Sequence, residues 1–146
     1  MAKNAKLLLV ALGLIAVNMT RAQAATNQGK VLCYVWADQA SPAVNTPYTP
    51  EPLYSFNAKR QDISVTKVGT GVYSVRCVGA GGGSRGPGGH VQASAYGPGS
   101  NIACHVGEWD TSGADLFAEV DCFGRGGGTG GGPAPADSKF VLLFIR

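Results

Sequence analysis

Leu116-Phe117-Ala118-Glu119-Val120-Asp121-Cys122-Phe123 decides the fold class. Leu116, Ala118, Val120 and Cys122 fall at every second position, with Glu119 and Asp121 between them. Successive side chains of an extended strand point to opposite faces, so this stretch predicts a strand with one dry and one wet face. Further β-prone runs lie on either side: Val31 to Ala37, Tyr54-Ser55-Phe56, Ile63 to Lys67 and Val72 to Val78. His90 to Tyr96 alternates Val91, Ala93 and Ala95 with Gln92, Ser94 and Tyr96. Ile102 to Val106 follows, and Phe140 to Ile145 is apolar throughout, which suits a central strand or a buried edge. Gly69-Thr70-Gly71 separates two of these runs as a hairpin turn. No sustained 3.6-residue apolar period occurs beyond the N-terminus. Seven or eight short strands at this spacing predict an all-β chain, an antiparallel β-sandwich or a jelly-roll-like variant.

The first residues read differently. Lys3 and Lys6 precede an uncharged apolar run at 7–17, and Ala22-Gln23-Ala24 offers small residues where a signal peptidase cuts. Residues 1–24 are therefore expected to be a signal peptide, and 25–146 a single mature β-sandwich domain. The apolar run is too short to cross a bilayer, which takes roughly 20 residues, so no membrane insertion is expected after cleavage. The chain has 12 Lys plus Arg against 9 Asp plus Glu. Lys3, Lys6 and Arg21 leave with the leader, so the mature chain is close to neutral. Such a balance offers no electrostatic footprint for nucleic acid.

Four cysteines remain, Cys33, Cys77, Cys104 and Cys122. In an exported chain an even count reads as two disulfides. Neither a CxxC nor an HxxxH spacing is present, so no metal and no cofactor are expected. Val75-Arg76-Cys77-Val78-Gly79 echoes Val120-Asp121-Cys122-Phe123-Gly124, and Leu32-Cys33-Tyr34-Val35 echoes Ala103-Cys104-His105-Val106. The echo favours Cys33–Cys77 with Cys104–Cys122 among the three possible pairings. Residues 79–89 and 124–132 are glycine-rich loops, and 41–52 holds four prolines and reads as an extended loop with little pairing.

From about Tyr34 to Arg146 the chain resembles a family of exported bacterial β-domains, found in actinobacteria and myxobacteria and often carried in tandem copies. The likeness rests on Tyr34-Val35-Trp36-Ala37-Asp38-Gln39, Tyr48-Thr49-Pro50 and Tyr54-Ser55-Phe56-Asn57. It continues through Gly69-Thr70-Gly71-Val72-Tyr73-Ser74-Val75, Gly89-His90-Val91-Gln92-Ala93-Ser94-Ala95-Tyr96-Gly97, Cys104-His105-Val106 with Trp109, Val120-Asp121-Cys122-Phe123 and Asp137-Ser138-Lys139-Phe140. The resemblance implies export and a β-domain, and supports a Cys104–Cys122 bridge. It carries over no catalytic residue. Cys33 and Cys77 stand where the family usually has apolar residues, which is most simply a second bridge.

Motifs with chemical content are few. Gly82-Gly83-Ser84-Arg85-Gly86 fits GxSxG, but Pro87-Gly88-Gly89 leaves no helix to form a nucleophile elbow. The GxGxxG matches at 81–86 and 126–131 lack the helix N-terminus that phosphate binding needs. Glu108, Asp110 and Asp115 around Thr111-Ser112-Gly113 have the oxygen chemistry of a calcium site, and are equally ordinary turn residues. Glu119 and Asp121 read as a wet strand face rather than a glycosidase pair. His90 and His105 read as surface or satisfied histidines, with no nucleophile placed beside either. Among the aromatics, Trp36 and Tyr73 are expected in the core. Tyr48, Tyr96 and Trp109 are expected at the surface as ligand-binding residues. These features predict a secreted, non-enzymatic binding or structural module at the bacterial cell surface or matrix. Its partner would be a cell-surface polysaccharide or protein. The alternative class is an inhibitor or effector acting on another protein, and a hydrolase ranks third.

Overall fold

A computed structural model describes residues 29–82, 88–97, 101–124, 126 and 132–146. The proposed leader, Ser84 of the GxSxG match and parts of both glycine-rich loops lie outside these residues.

The described chain is all-β, as the alternation predicts: two antiparallel sheets packed on each other. The strands are β1 (Val31–Ala37), β2 (Phe56–Asn57), β3 (Ile63–Gly69), β4 (Val72–Cys77) and β5 (His90–Ala95). They continue with β6 (Ile102–Asp110), β7 (Leu116–Gly124), β8 (Ala134–Pro135) and β9 (Phe140–Ile145). The first sheet has the order β2-β1-β9-β5 and the second β3-β4-β7-β6, with β8 added against the end of β7. The β8 pairing and the length of β6, which runs four residues past the alternating run at its start, were not legible in sequence. The loop at 41–52 touches β3 through isolated bridges from Val44 to Lys67 and from Tyr48 to Val65.

Period-two burial fixes what each strand contributes. On β7, Leu116, Ala118, Val120 and Cys122 are buried, in one core with Tyr73, Val75 and Cys77 of the neighbouring β4 and with Phe140, Leu142 and Phe144 of β9 in the other sheet. On β1 the buried set is Cys33, Val35 and Ala37. Trp36 is therefore on the opposite, outer face, which corrects the expectation that it sits in the core. β1 is apolar at nearly every position, so its sequence did not reveal which parity faces inward. Tyr73 is fully buried, as expected.

Disulfides join Cys33 to Cys77 and Cys104 to Cys122. The first ties β1 of one sheet to β4 of the other, and the second links register partners on β6 and β7. A second tie between sheets is polar. Asp137, just before β9, accepts from Lys67 Nζ on β3, from Ser41 Oγ (2.7 Å) and from the Gly71 amide (2.9 Å). Gly71 closes the β3–β4 hairpin at φ +71°, and a Cβ there would lie 2.4 Å from the Cys122 carbonyl oxygen. Only glycine fits a left-handed turn pressed that closely on a neighbouring strand.

Candidate functional site

The outer face of the β2-β1-β9-β5 sheet is unusual for a solvated sheet face. Leu32, Tyr34 and Trp36 of β1 lie beside Val141, Leu143 and Ile145 of β9, all half-buried. A strand with one wet face normally alternates with polar residues; β9 does not. Polar groups appear only on β5, where His90, Gln92 and Ser94 are exposed and pair in register with Ile145, Leu143 and Val141.

An open groove of about 700 Å³ runs over this face. Its floor is Tyr34, Val141 and Leu143, and β5 supplies His90, Gln92 and Ser94. β6, the edge strand of the other sheet, closes one side with His105, Val106 and Trp109. Trp109 reaches the groove because β6 carries a bulge between Val106 and Glu108, which resets its alternation. Gly107 sits at that bulge, where a Cβ would fall 2.6 Å from Asp121 Oδ2. The indole is 44% exposed and also borders two smaller hollows with Glu108.

Among the described residues, the lining of the groove includes no Lys, Arg, Asp or Glu. Among the described residues, neither the Gln92 amide nor the His90 imidazole makes a hydrogen bond within the chain. His105 Nε2 stands 4.0 Å from Asp121 Oδ2, and its ring stacks on Phe123 at 5.4 Å. Ser94 Oγ donates to the Ala95 carbonyl at 3.4 Å, a long bond, and no imidazole accepts from it among the described residues. The geometry thus supplies stacking surfaces and neutral groups that donate and accept, without a base hydrogen-bonded to a nucleophile.

An aromatic cluster adjoins the groove on the same face. Trp36 meets Tyr54 edge-on at 4.5 Å between centroids and stacks on Tyr96 at 5.6 Å. Burial raises the Tyr96 phenol above its usual range and the Asp38 charge adds to the rise, while the nearby Trp36 side chain, short of hydrogen-bond geometry, opposes both. Tyr96 is half-buried, lying just past the end of β5 rather than within the strand.

Of the three aromatics singled out in the sequence, only Trp109 lines the groove. Tyr48 is half-buried against the core, and its hydroxyl oxygen is enclosed without a hydrogen-bond partner. Desolvation raises its phenol strongly. The Gln39 amide approaches closely enough to oppose that rise, without the geometry of a hydrogen bond. Tyr48 therefore does not present the exposed ring expected of the proline-rich loop, because its bridge to Val65 turns it inward. Sequence reading missed Gln92 and Ser94, did not single Tyr34 out from the other tyrosines, and treated His90 and His105 separately. The usable signal was β9, whose outward positions are as apolar as its inward ones.

The carboxylates around Thr111-Ser112-Gly113 are committed to partners within the chain. Asp115 Oδ2 accepts from Arg76 Nε (2.8 Å) and Nη2 (2.6 Å), and its Oδ1 accepts from the Gly79 amide (2.8 Å). The Gly79 amide, then Arg76, hold this carboxyl below its ordinary range. Asp110 is bound by the Ser112 amide and hydroxyl. Among the described residues, no three His, Cys, Asp or Glu gather as a metal site.

Fold and groove together define the class: a disulfide-stapled, two-sheet β domain with a surface groove whose described lining holds no Lys, Arg, Asp or Glu. Compared with protein-family models, curated proteins and solved structures, the chain matches none. Two disulfides fit an oxidising compartment, and no helix among the described residues is long and apolar enough to cross a membrane.

Proposed function

We infer that this chain is an exported, non-enzymatic binding module working at a cell surface or in an extracellular matrix, in keeping with its resemblance to exported bacterial β-domains. The observation that carries the reading is the 700 Å³ groove, apolar in its floor and ringed by a few neutral polar groups, the usual composition of a recognition site. The leader-like residues 1–24 and the paired cysteines support export.

The test has two parts. The protein is expressed with its own N-terminus in a secreting bacterial host and recovered from outside the cells. N-terminal sequencing then starts at Ala25; a protein retained inside with Met1 intact contradicts export. The recovered, oxidised protein is next incubated with isolated cell envelopes. Co-sedimentation that is lost on Trp109→Ala supports the binding reading, and the absence of any retention rejects it.

A hydrolase reading draws on one fact, the presence of Ser94, His90 and His105 around one groove with Asp121 beside His105. The missing serine–imidazole hydrogen bond leaves it the weaker reading. Alanine at both histidines with unchanged turnover of any substrate found would exclude it.

A further inference from the structure

We propose that the ligand of the groove is an uncharged polysaccharide chain, stacked on Tyr34 and Trp109 and held by Gln92 and Ser94. This rests on the binding-module reading and gives it a chemical class.

Charge decides first. With no Lys, Arg, Asp or Glu among the described lining residues, the groove offers an anionic or cationic polymer no such counter-charge, and would strip its ionic groups of water with little return. A neutral ligand has no ionic group to desolvate, and its hydroxyls can be re-bonded by the groove. Hydrogen-bond chemistry decides next. Amide, hydroxyl and imidazole each donate and accept, which matches the hydroxyl groups of a sugar. His90, Gln92 and Ser94 follow one another at every second residue of β5, so these groups recur at steps of about 7 Å along one strand. A comb of equivalent groups suits a polymer of repeating units. The rings decide last. Tyr34 on β1 and Trp109 on β6 stand on different elements of the groove, with Leu143 in its floor. Aromatic and aliphatic surface of this kind packs against the apolar faces of sugar rings. The groove is open rather than enclosed, so a chain can pass along it, and Trp36 with Tyr54 extends the stacking surface beyond it.

The experiment is affinity electrophoresis of the exported, oxidised protein through gels containing β-1,3-glucan, β-1,4-glucan, α-1,4-glucan, mannan or xylan. Polygalacturonate and alginate serve as anionic probes. Retardation by at least one neutral polymer is expected. It should persist from low salt to about 0.5 M, because a neutral polymer brings no charge to be screened. Trp109→Ala should weaken it about tenfold and Gln92→Ala several-fold. Val68→Ser, an exposed change on β3 away from the groove, should leave it unaltered. Near-ultraviolet circular dichroism confirms that each variant is folded. Four results overturn the proposal. One is retardation by the anionic polymers alone, abolished by salt. Another is unchanged binding in both groove variants. The third is envelope co-sedimentation lost with Trp109→Ala while every neutral polymer fails; that outcome rejects the polysaccharide yet leaves the binding module standing. A concentration-dependent dimer broken by Trp109→Ala would assign the groove to a second copy instead and likewise reject the polysaccharide.

Discussion

Cys33 on β1 and Cys77 on β4 bring the two sheets together across the core, their Cα atoms 6.5 Å apart and 44 residues distant in sequence. Cys104 and Cys122 do something different. They lie opposite each other on adjacent strands of one sheet, 4.0 Å apart and 18 residues distant. The first bridge holds layers; the second reinforces a pairing that backbone hydrogen bonds already make.

Loop-closure entropy ranks the two. Removing Cys33 and Cys77 together should cost about 4 kcal/mol, and removing Cys104 and Cys122 about 3 kcal/mol. Urea denaturation of the two double-alanine variants measures the difference. The reverse order would show that the inter-sheet bridge is the lesser constraint.

Acid should unfold the protein through Asp137. Burial works to raise this carboxyl, but hydrogen bonds from Lys67, Gly71 and Ser41, with the Lys67 charge, outweigh it and hold the group below its ordinary range. A carboxyl depressed in the folded state contributes stability that is complete above its unfolded-state value of about 3.9 and fades as pH falls through the folded value. Asp115, held down by Gly79 and Arg76, adds to the same limb. Asp137→Asn should lower stability at neutral pH and flatten its decline below pH about 4. A decline as steep as that of the unsubstituted protein would contradict this.

Two buried tyrosines should respond in opposite ways to loss of the hydroxyl. Tyr73 Oη donates to the Ala40 carbonyl (2.6 Å) and accepts from the Ser138 amide (2.9 Å), linking the β1 exit to the β9 entry. Tyr73→Phe strands both backbone groups and should cost about 1–3 kcal/mol. Tyr48→Phe removes an enclosed hydroxyl that has no partner and should be neutral or stabilising by up to about 1 kcal/mol. Thermal melts of the two variants, run side by side, check the contrast.

Gly71→Ala should be costlier than an ordinary glycine replacement. The left-handed turn alone penalises a side chain by about 1–2 kcal/mol. The added Cβ would also press on the Cys122 carbonyl and on the Ala136 backbone, while Cys122 N donates to the Gly71 carbonyl. A melting temperature within a degree or two of the parent would show that the turn can move away.

Much of the fold could be read from local pattern, because strand faces repeat every two residues and leave that period in the sequence. β7 shows it plainly: Leu116, Ala118, Val120 and Cys122 point inward as their spacing requires. β1 shows where the signal fails. Cys33, Tyr34, Val35 and Trp36 are all apolar or aromatic, so nothing local tells which parity is inside. The site was less legible. Trp109 was found as an isolated exposed ring, but the bulge that swings it over the groove is a register shift against β7, invisible without the partner strand.

The sequence by itself determined strand class and the hairpin at Gly71, since each depends on residues close together in the chain, and the even cysteine count. Only the tertiary structure decided that His90 and His105 face one groove and that the outer side of β9 stays largely apolar with no second layer described over it. It also fixed Trp36 on the surface. Those facts depend on which strands become neighbours, and that choice is made by burying Phe140, Leu142 and Phe144 beside β1 residues more than a hundred positions away.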